Sequence, residues 1–285
     1  MTVQRWDFLH RDHPWPGVVS AVGYRNQMPG HPMHYGLPSP YLTVIFSLDD
    51  GVEAANSREA LPSASPTPII AAGLHPRGSF VLQRGGQTGV QLAVHPLAAR
   101  ALLGLPAAEL SISDYDGREA LGRRAATMQA RLTEATDWTR AFALIGSQLA
   151  RSIDARPSEV RSEVRHAWHL LARSGGRMPI NEVANAVGVS SRHLGTLFVR
   201  EVGCPPKTVA QLFRFQRAAG GIRAAVAAQR QVDLATVAAC AGYADQSHLT
   251  RDFVDRLGVP PRRWIVDEFR NLQAHPLTMA PESST

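Results

Sequence analysis

The chain has 285 residues, 44% of them hydrophobic, so it can bury a sizeable core and is not a disordered protein. No segment approaches the roughly 20 consecutive apolar residues that cross a bilayer, and the N-terminus lacks the apolar run of a signal peptide. The two cysteines, Cys204 and Cys240, form neither a disulfide framework nor a CxxC zinc motif. We therefore expect a soluble cytoplasmic protein that has no membrane partner.

The positive charge is concentrated in one part of the chain. Residues 1–160 have no net charge, residues 161–270 carry a net charge of +7, and the last fifteen residues carry −1. Such an asymmetry is typical of a segment that binds an acidic polymer. The alternative is a basic, solvated surface, and charge alone does not decide between the two.

The first 110 or so residues are rich in glycine and proline and contain short apolar runs separated by turn signals. This pattern of short apolar runs and turns predicts a small β barrel or β sandwich. The runs are Tyr41–Leu48, Pro68–Ala72, Ser79–Leu82 and Thr88–Val94.

Two amphipathic helices are predicted next, over Arg118–Leu132 and Asp137–Ile153, with Asp137 as an N-cap. The second helix has one apolar face, which could either cover the core of the β domain or form a dimer interface. That face consists of Trp138, Phe142, Ile145 and Leu149.

A linker is predicted over Ile153–Pro157, and the chain after it has helical patterns almost throughout. We expect a sensor or dimerisation domain over residues 1–155, a DNA-binding domain over 156–273 and a flexible tail over 274–285. The expected fold class is α+β, with an N-terminal cupin-like β barrel and flanking helices and a C-terminal all-α domain.

The C-terminal segment contains an internal repeat. Ile180, Val183, Ala184 and Gly188 recur as Leu234, Val237, Ala238 and Gly242 at an offset of 54 residues. His193-Leu194, Phe198, Gly203 and Pro205-Pro206 recur as His248-Leu249, Phe253, Gly258 and Pro260-Pro261 at an offset of 55. Each copy predicts a short helix, a glycine turn and a second helix, which is a helix-turn-helix unit. Ser190-Ser191 and Asp245 are the expected caps of the second helices.

The segment Asp233–Trp264, DLATVAACAGYADQSHLTRDFVDRLGVPPRRW, resembles the signature of the AraC/XylS family of bacterial transcription regulators. Residues 178–209 resemble its first unit more loosely, and residues 212–218 resemble its linker helix. The resemblance implies that two recognition helices enter successive major-groove segments of double-stranded DNA, about 34 Å apart.

The resemblance also implies which side chains face the DNA. In the second unit they are Gln246, Ser247, His248 and Arg251, and glutamine and arginine can pair with adenine and guanine through two hydrogen bonds each. In the first unit Arg192 and Thr196 occupy the matching positions, whereas Gly195 replaces a reader. Phosphate contacts are expected from Ser191, Arg200, Lys207 and Arg262. If the regulator is an activator, RNA polymerase is a further partner.

Three roles remain open for the N-terminal part. It can bind a small-molecule effector, as the resemblance implies, or act as a ligand-free dimerisation scaffold that makes the protein a homodimer. The remote third reading is a metal-dependent cupin enzyme. His31 and His34 lack the spacing and the following glutamate of metal-binding cupins, and His75 and His95 each precede a proline. We therefore expect no enzyme activity, no metal and no cofactor.

Overall fold

Within the residues that the structure describes, the N-terminal part contains eight strands in two antiparallel sheets. In this computed structural model, residues 7–26, 33–110, 116–155 and 160–270 are described. The strands are β1 (Asp7–Trp15), β2 (Val18–Arg25), β3 (Met33–Gly36), β4 (Leu42–Ser47), β5 (Glu53–Ala55), β6 (Ile69–Ala72), β7 (Ser79–Leu82) and β8 (Thr88–Val94). One sheet has the order β1-β2-β8-β4-β6 and the other the order β3-β7-β5.

Strand β4 illustrates why these segments form strands. Leu42, Val44 and Phe46 are buried, and the residues between them are less so, which is the period of two that a strand with one core face requires. Ile45 on the opposite face packs on a small cluster that also contains residues of β5 and β7. The predicted strand over residues 41–48 is thus present as β4, and its Ile45 face packs toward the three-stranded sheet.

Three helices follow the strands: α1 (Ala99–Leu102), α2 (Gly117–Thr133) and α3 (Trp138–Ala155). Helix α2 packs on β4 and β6, and α3 packs on α1, α2 and β1. Asp137 caps α3 by accepting a hydrogen bond from the backbone N–H of Arg140, as the sequence predicts. Helix α3 continues through Ala155, so the prediction of a linker from Ile153 is wrong for its first three residues; residues 156 and 157 lie outside the described ranges.

The apolar face of α3 lies inside the chain. Phe142, Ile145 and Leu149 are buried, and Trp138 is partly buried against the same core cluster. The ring of Phe142 makes an edge contact with Trp15 of β1 at 5.8 Å between centroids. In the structure this face covers the core of the β domain, which is one of the two predicted roles. A dimer contact through the same face would require α3 to detach.

The C-terminal part is wholly helical within the described residues. Its helices are α4 (Ser162–Arg173), α5 (Ile180–Ala186), α6 (Ser191–Val202), α7 (Pro206–Ala227), α8 (Leu234–Ala241), α9 (Gln246–Leu257) and α10 (Pro261–Arg270). The α+β class, with an N-terminal β-sheet domain and a C-terminal helical domain, is confirmed. None of the described helices combines the length and the apolarity needed to span a bilayer. The predicted tail from residue 274 lies outside the described residues.

The two parts share one apolar interior. The largest core cluster runs from the five-stranded sheet through α2, α3 and α4 into α6 and α7. A second cluster joins Tyr35 of β3 to α7, α8, α9 and Trp264 of α10. Both helix-turn-helix units are therefore packed against the N-terminal part.

Candidate nucleic-acid interface

The two predicted helix-turn-helix units are present as α5–α6 and α8–α9. Helices α6, α8 and α9 end at Gly203, Gly242 and Gly258, which adopt left-handed conformations. In each of the two proline pairs, the second proline is the first residue of the next helix, where its missing N–H has no cost. The sequence pattern therefore encodes both the ends of these helices and the starts of α7 and α10.

Side-chain caps fix the first turn of α6 and of α9. Ser190 accepts a hydrogen bond from the N–H of His193 at 3.2 Å, and Asp245 accepts one from the N–H of His248 at 2.7 Å. The sequence predicts both caps. Ser190 and Asp245 are 55 residues apart, which is the offset that relates the second helices of the repeat. Each second helix thus begins at a defined residue, which determines the direction of its exposed side chains.

Helix α6 has one buried and one exposed face. Leu194, Leu197 and Phe198 are buried, whereas Arg192 and Thr196 are exposed. The hydroxyl of Thr196 donates to the carbonyl of Arg192, one turn back, at 3.2 Å. Among the positions predicted to read bases, this helix therefore offers one long cationic side chain, Arg192, and one short hydroxyl, Thr196.

Helix α9 exposes a more polar face. Gln246, Ser247 and Arg251 are exposed while Leu249 and Phe253 are buried beneath them. The guanidinium of Arg251 donates from Nε to the carbonyl of Ser247 at 3.4 Å. The second helix thus presents an amide, a hydroxyl and a guanidinium, which are the groups that read base edges.

His248 differs from its neighbours on α9. Its ring is half-buried and makes an edge contact with Tyr243 at 5.2 Å, and its Nδ1 accepts a hydrogen bond from the N–H of Ala244. Only Nε2 is therefore left for a further partner. This contact within the turn was not predicted from the sequence.

The four side chains predicted to contact phosphates are all exposed. Ser191 and Arg200 lie at opposite ends of α6, Lys207 lies at the start of α7, and Arg262 lies at the start of α10. Among the ion pairs of the described residues, none involves Arg200, Lys207 or Arg262. Their charges are thus available to a polyanion.

Residues 183–265 match the family model described as a helix-turn-helix domain. The match begins within α5 and covers α6, the linker helix α7 and the whole second unit. The chain carries an AraC-type helix-turn-helix domain. It is a DNA-binding transcription regulator.

Solved structures of ToxT from Vibrio cholerae are similar to this chain over most of its length, at low identity. ToxT of strain O395 is 10% identical, with 89% of this chain and 98% of that chain covered and a TM-score of 0.48. A P21 crystal form is 11% identical, with coverage of 93% and 99% and a TM-score of 0.48. Unsaturated fatty acid bound wild-type ToxT of strain SCE256 is 11% identical, with coverage of 99% and 100% and a TM-score of 0.46. No curated protein sequence matches the chain.

A buried polar network crosses the second unit of the AraC-type domain. Tyr243 donates from its hydroxyl to Asp252 at 2.6 Å, and Asp252 accepts from Nε of Arg256 at 2.9 Å. Burial and the charge of Asp252 both raise the pKa of Tyr243, so its hydroxyl remains a donor. The guanidinium of Arg256 also lies over the ring of Phe215.

This network links recognition helix α9 to the β domain. Arg256 donates from Nη1 to the carbonyl of Pro76 at 2.7 Å, and the N–H of Gly78 donates to the carbonyl of Arg256 at 2.8 Å. A Cβ at Gly78 would lie 2.6 Å from a methyl carbon of Leu257 and 3.0 Å from the carbonyl oxygen of Gly36, so a larger residue would force this contact to shift. The sequence does indicate that Arg256 is buried, because its spacing from Leu249 and Phe253 places it on the same face of α9.

The first recognition helix is attached to the β domain in a comparable way. Arg100 of α1 forms a two-bonded ion pair with Glu201 near the end of α6, at 2.8 and 3.1 Å. The α6 end glycine, Gly203, lies against Ala108, whose Cα would be 3.1 Å from an added Cβ. The N-terminal part thus contacts the last turn of both recognition helices.

Helix α10 of the AraC-type domain contacts strand β3 through two polar pairs. Tyr35 donates to Asp267 at 3.1 Å, and Nδ1 of His34 lies 2.9 Å from Oε1 of Glu268. Burial works to raise the pKa of Glu268, but His34 and then Arg223 outweigh it, and the pKa is below its usual value of 4.5. Glu268 therefore remains a carboxylate at neutral pH and holds α10 to β3.

This depressed pKa predicts that acid weakens the contact. Because the folded value lies below the unfolded one, the stabilisation is fully present above pH 4.5 and is lost as the pH falls through the folded value. Urea unfolding at stepped pH should show a steeper acid loss for the wild type than for Glu268→Gln. The exposed control Glu119→Gln should keep the wild-type slope, and equal slopes for wild type and Glu268→Gln would contradict the assignment.

The histidines weighed as metal ligands have other contacts. His75 hydrogen-bonds the carbonyl of Gly73 at 3.0 Å, and the ring of His95 packs 5.1 Å from that of Trp168. His34 pairs with Glu268, and His31 lies outside the described residues. Among the residues that the structure describes, no group of three or more histidine, cysteine or acidic side chains is placed to hold a metal ion.

Proposed function

We propose that this regulator reads its operator with two unequal helices. The assignment rests on the exposed face of α9, where Gln246, Ser247 and Arg251 stand beside each other above a buried apolar face. His248 adds only its Nε2. On α6, Arg192 and Thr196 are the proposed readers, and the lack of a side chain at Gly195 makes that helix the weaker of the two.

The proposed phosphate contacts hold the domain on the duplex without reading sequence. They are made by Ser191, Arg200, Lys207 and Arg262, which are exposed around the two units. A chain that acts on chromosomal DNA in a bacterium works in the cytoplasm, and RNA polymerase becomes a partner if it activates transcription.

Lys207→Ala should weaken binding to all DNA sequences alike. Loss of one phosphate contact releases about one counterion fewer, so the slope of log K against log salt should fall by about 1. Fluorescence anisotropy over a salt series measures it, with Lys207→Arg as the control that keeps the charge. A loss confined to the operator would show that Lys207 reads bases instead.

We further propose that the N-terminal domain sets the relation between the two recognition helices. The support is that it contacts the last turns of both, through Arg100 and Glu201 at α6 and through Pro76, Gly78 and Arg256 at α9. A change in this domain would therefore alter both helices. Control by a small-molecule effector is the favoured form of regulation, and a ligand-free dimerisation scaffold is the alternative.

Selection of binding sites from random duplexes by the purified full chain tests the proposal. We expect an enriched motif with its strongest base preference under α9, and the number of half-sites will report the oligomeric state. Failure to enrich any sequence would refute sequence-specific binding. A stronger preference under α6 would reverse the proposed order of the two units.

A further inference from the structure

A cavity of about 390 Å³ lies on the three-stranded sheet of the N-terminal domain. It is formed where the short 3-10 turn Leu61–Ser63 lies against β5 and β7. Its volume is within the range of small-molecule sites. The lining residues are Arg58, Leu61, Pro62, Leu82 and Arg84.

The two arginines of this cavity differ in whether an ion pair neutralises the guanidinium charge. Arg84 forms a two-bonded ion pair with the buried carboxylate of Glu53, so its charge is compensated. Arg58 is exposed, and its Nε lies 3.3 Å from the sulfur of Met33. Among the described residues, no carboxylate lies within ion-pair distance of Arg58. The charge of neighbouring Glu59 interacts with Arg58 but forms no ion pair with it, so the guanidinium of Arg58 remains able to pair with a ligand.

The remaining lining is apolar. Leu61 is buried, Leu82 is half-buried, and Pro62 has no polar side-chain atom. A guanidinium next to such a surface matches a ligand with a carboxylate at one end and a compact apolar body at the other. We propose that this cavity binds a small amphipathic carboxylate, with its carboxylate on Arg58 and its body against Leu61, Pro62 and Leu82.

The cavity shares a sheet face with the attachment site of the DNA-binding helices. Leu82 pairs across the sheet with Met33 and with Glu53, so these side chains point to the same face. Two residues along the strands, Tyr35 and Phe80 lie on that face and pack into the cluster of α9 and α10. A ligand on Arg58 is thus adjacent to the apolar contact through which Tyr35 and Phe80 hold α9 and α10.

This inference rests on the proposed function, since it names the effector class of the same regulator. Occupancy at Arg58 would change the environment of Met33 and of Tyr35, and Tyr35 is bonded to Asp267 of α10. Ligand binding and DNA binding are then coupled in both directions, because a free-energy coupling is reciprocal.

Calorimetric titration of the full chain without DNA tests the cavity. The probe is cyclohexanecarboxylate, and cyclohexylmethanol and cyclohexylmethylammonium are its neutral and cationic counterparts. We expect the carboxylate alone to bind, and Arg58→Gln to weaken it about tenfold or more. The control Arg140→Gln, an exposed arginine on α3, should bind like the wild type. No binding of the carboxylate, or equal affinity for Arg58→Gln and the wild type, would overturn the proposal.

A second measurement separates this inference from the proposed function. Operator affinity is measured with and without saturating cyclohexanecarboxylate, and we expect a change of severalfold for the wild type and none for Arg58→Gln. Arg58-dependent binding of the probe with unchanged operator affinity would refute the coupling and leave the cavity standing. Operator binding without any probe binding would refute the cavity and leave the regulator standing, whereas absence of operator binding refutes the proposed function itself.

Discussion

Arg256→Ala is expected to lower the free energy of unfolding by roughly 3 kcal/mol, because it leaves a partly buried carboxylate without its cation. Arg256 is only 7% exposed although it lies on a recognition helix. Its guanidinium joins Asp252 on its own helix to the carbonyl of Pro76 in the β domain. The loss should appear in urea unfolding followed by tryptophan fluorescence.

The chain contains a matched control for this prediction. Arg263 and Asp267 on α10 have the same i, i+4 spacing and a similar distance of 3.0 Å, but the arginine side chain is 60% exposed. Arg263→Ala should therefore cost less than about 1 kcal/mol. If the two variants lose equal stability, burial does not strengthen the contact of Arg256, and the network through Asp252 does not stabilise the contact between the domains.

A volume-conserving variant separates charge from packing. Arg256→Met retains most of the contact with Phe215 but leaves Asp252 with Tyr243 alone. Adding Asp252→Asn removes the orphaned charge, so the double variant should recover part of the loss. No recovery would mean that the contact with Pro76 supplies the stabilisation.

The repeat shows why much of the DNA-binding domain could be predicted from the sequence. Its determinants are local, since caps such as Ser190 and Asp245 and the end glycines act within one turn of their own helix. The same applies to Asp137 at the start of α3. Each of these positions has the predicted role because no distant partner competes for it.

The interdomain contacts could not be predicted in this way. Arg100 and Glu201 are about a hundred positions apart, and Arg256 and Pro76 are farther apart still. Spacing along α9 indicates that Arg256 is buried, but it does not indicate which distant residue pairs with it. The sequence predicts that His248 faces the DNA, and it does not indicate that the ring also packs on Tyr243 within the turn.

The two roles considered for the apolar face of α3 show another limit. Periodicity places Phe142 and Ile145 on one face but does not say what covers it. In the structure, Trp15 of β1 covers this face of α3. It crosses the helix at Gly146, where an added Cβ would lie 2.3 Å from the indole nitrogen. The close approach needs a glycine, and that glycine was the available signal.

Arg251→Ala should reduce discrimination at one base pair of the operator by about 1–3 kcal/mol, which is roughly fivefold to 150-fold. Arg251 is exposed on α9 and makes no ion pair with the described residues, so its removal should not alter folding. A guanine read by two hydrogen bonds then becomes interchangeable with the other bases.

Competition binding with single-base operator variants measures this effect. The wild type should discriminate at one position where Arg251→Ala does not, and both should discriminate equally elsewhere. Arg251→Lys is the informative intermediate, since it keeps the charge but loses the planar fork, and it should retain affinity better than specificity. The exposed Arg230→Ala, which lies in the loop after α7, serves as the control for a lost charge. If Arg251→Ala instead lowers affinity uniformly over all variants, Arg251 contacts a phosphate and the reading face of α9 is reduced to Gln246 and Ser247.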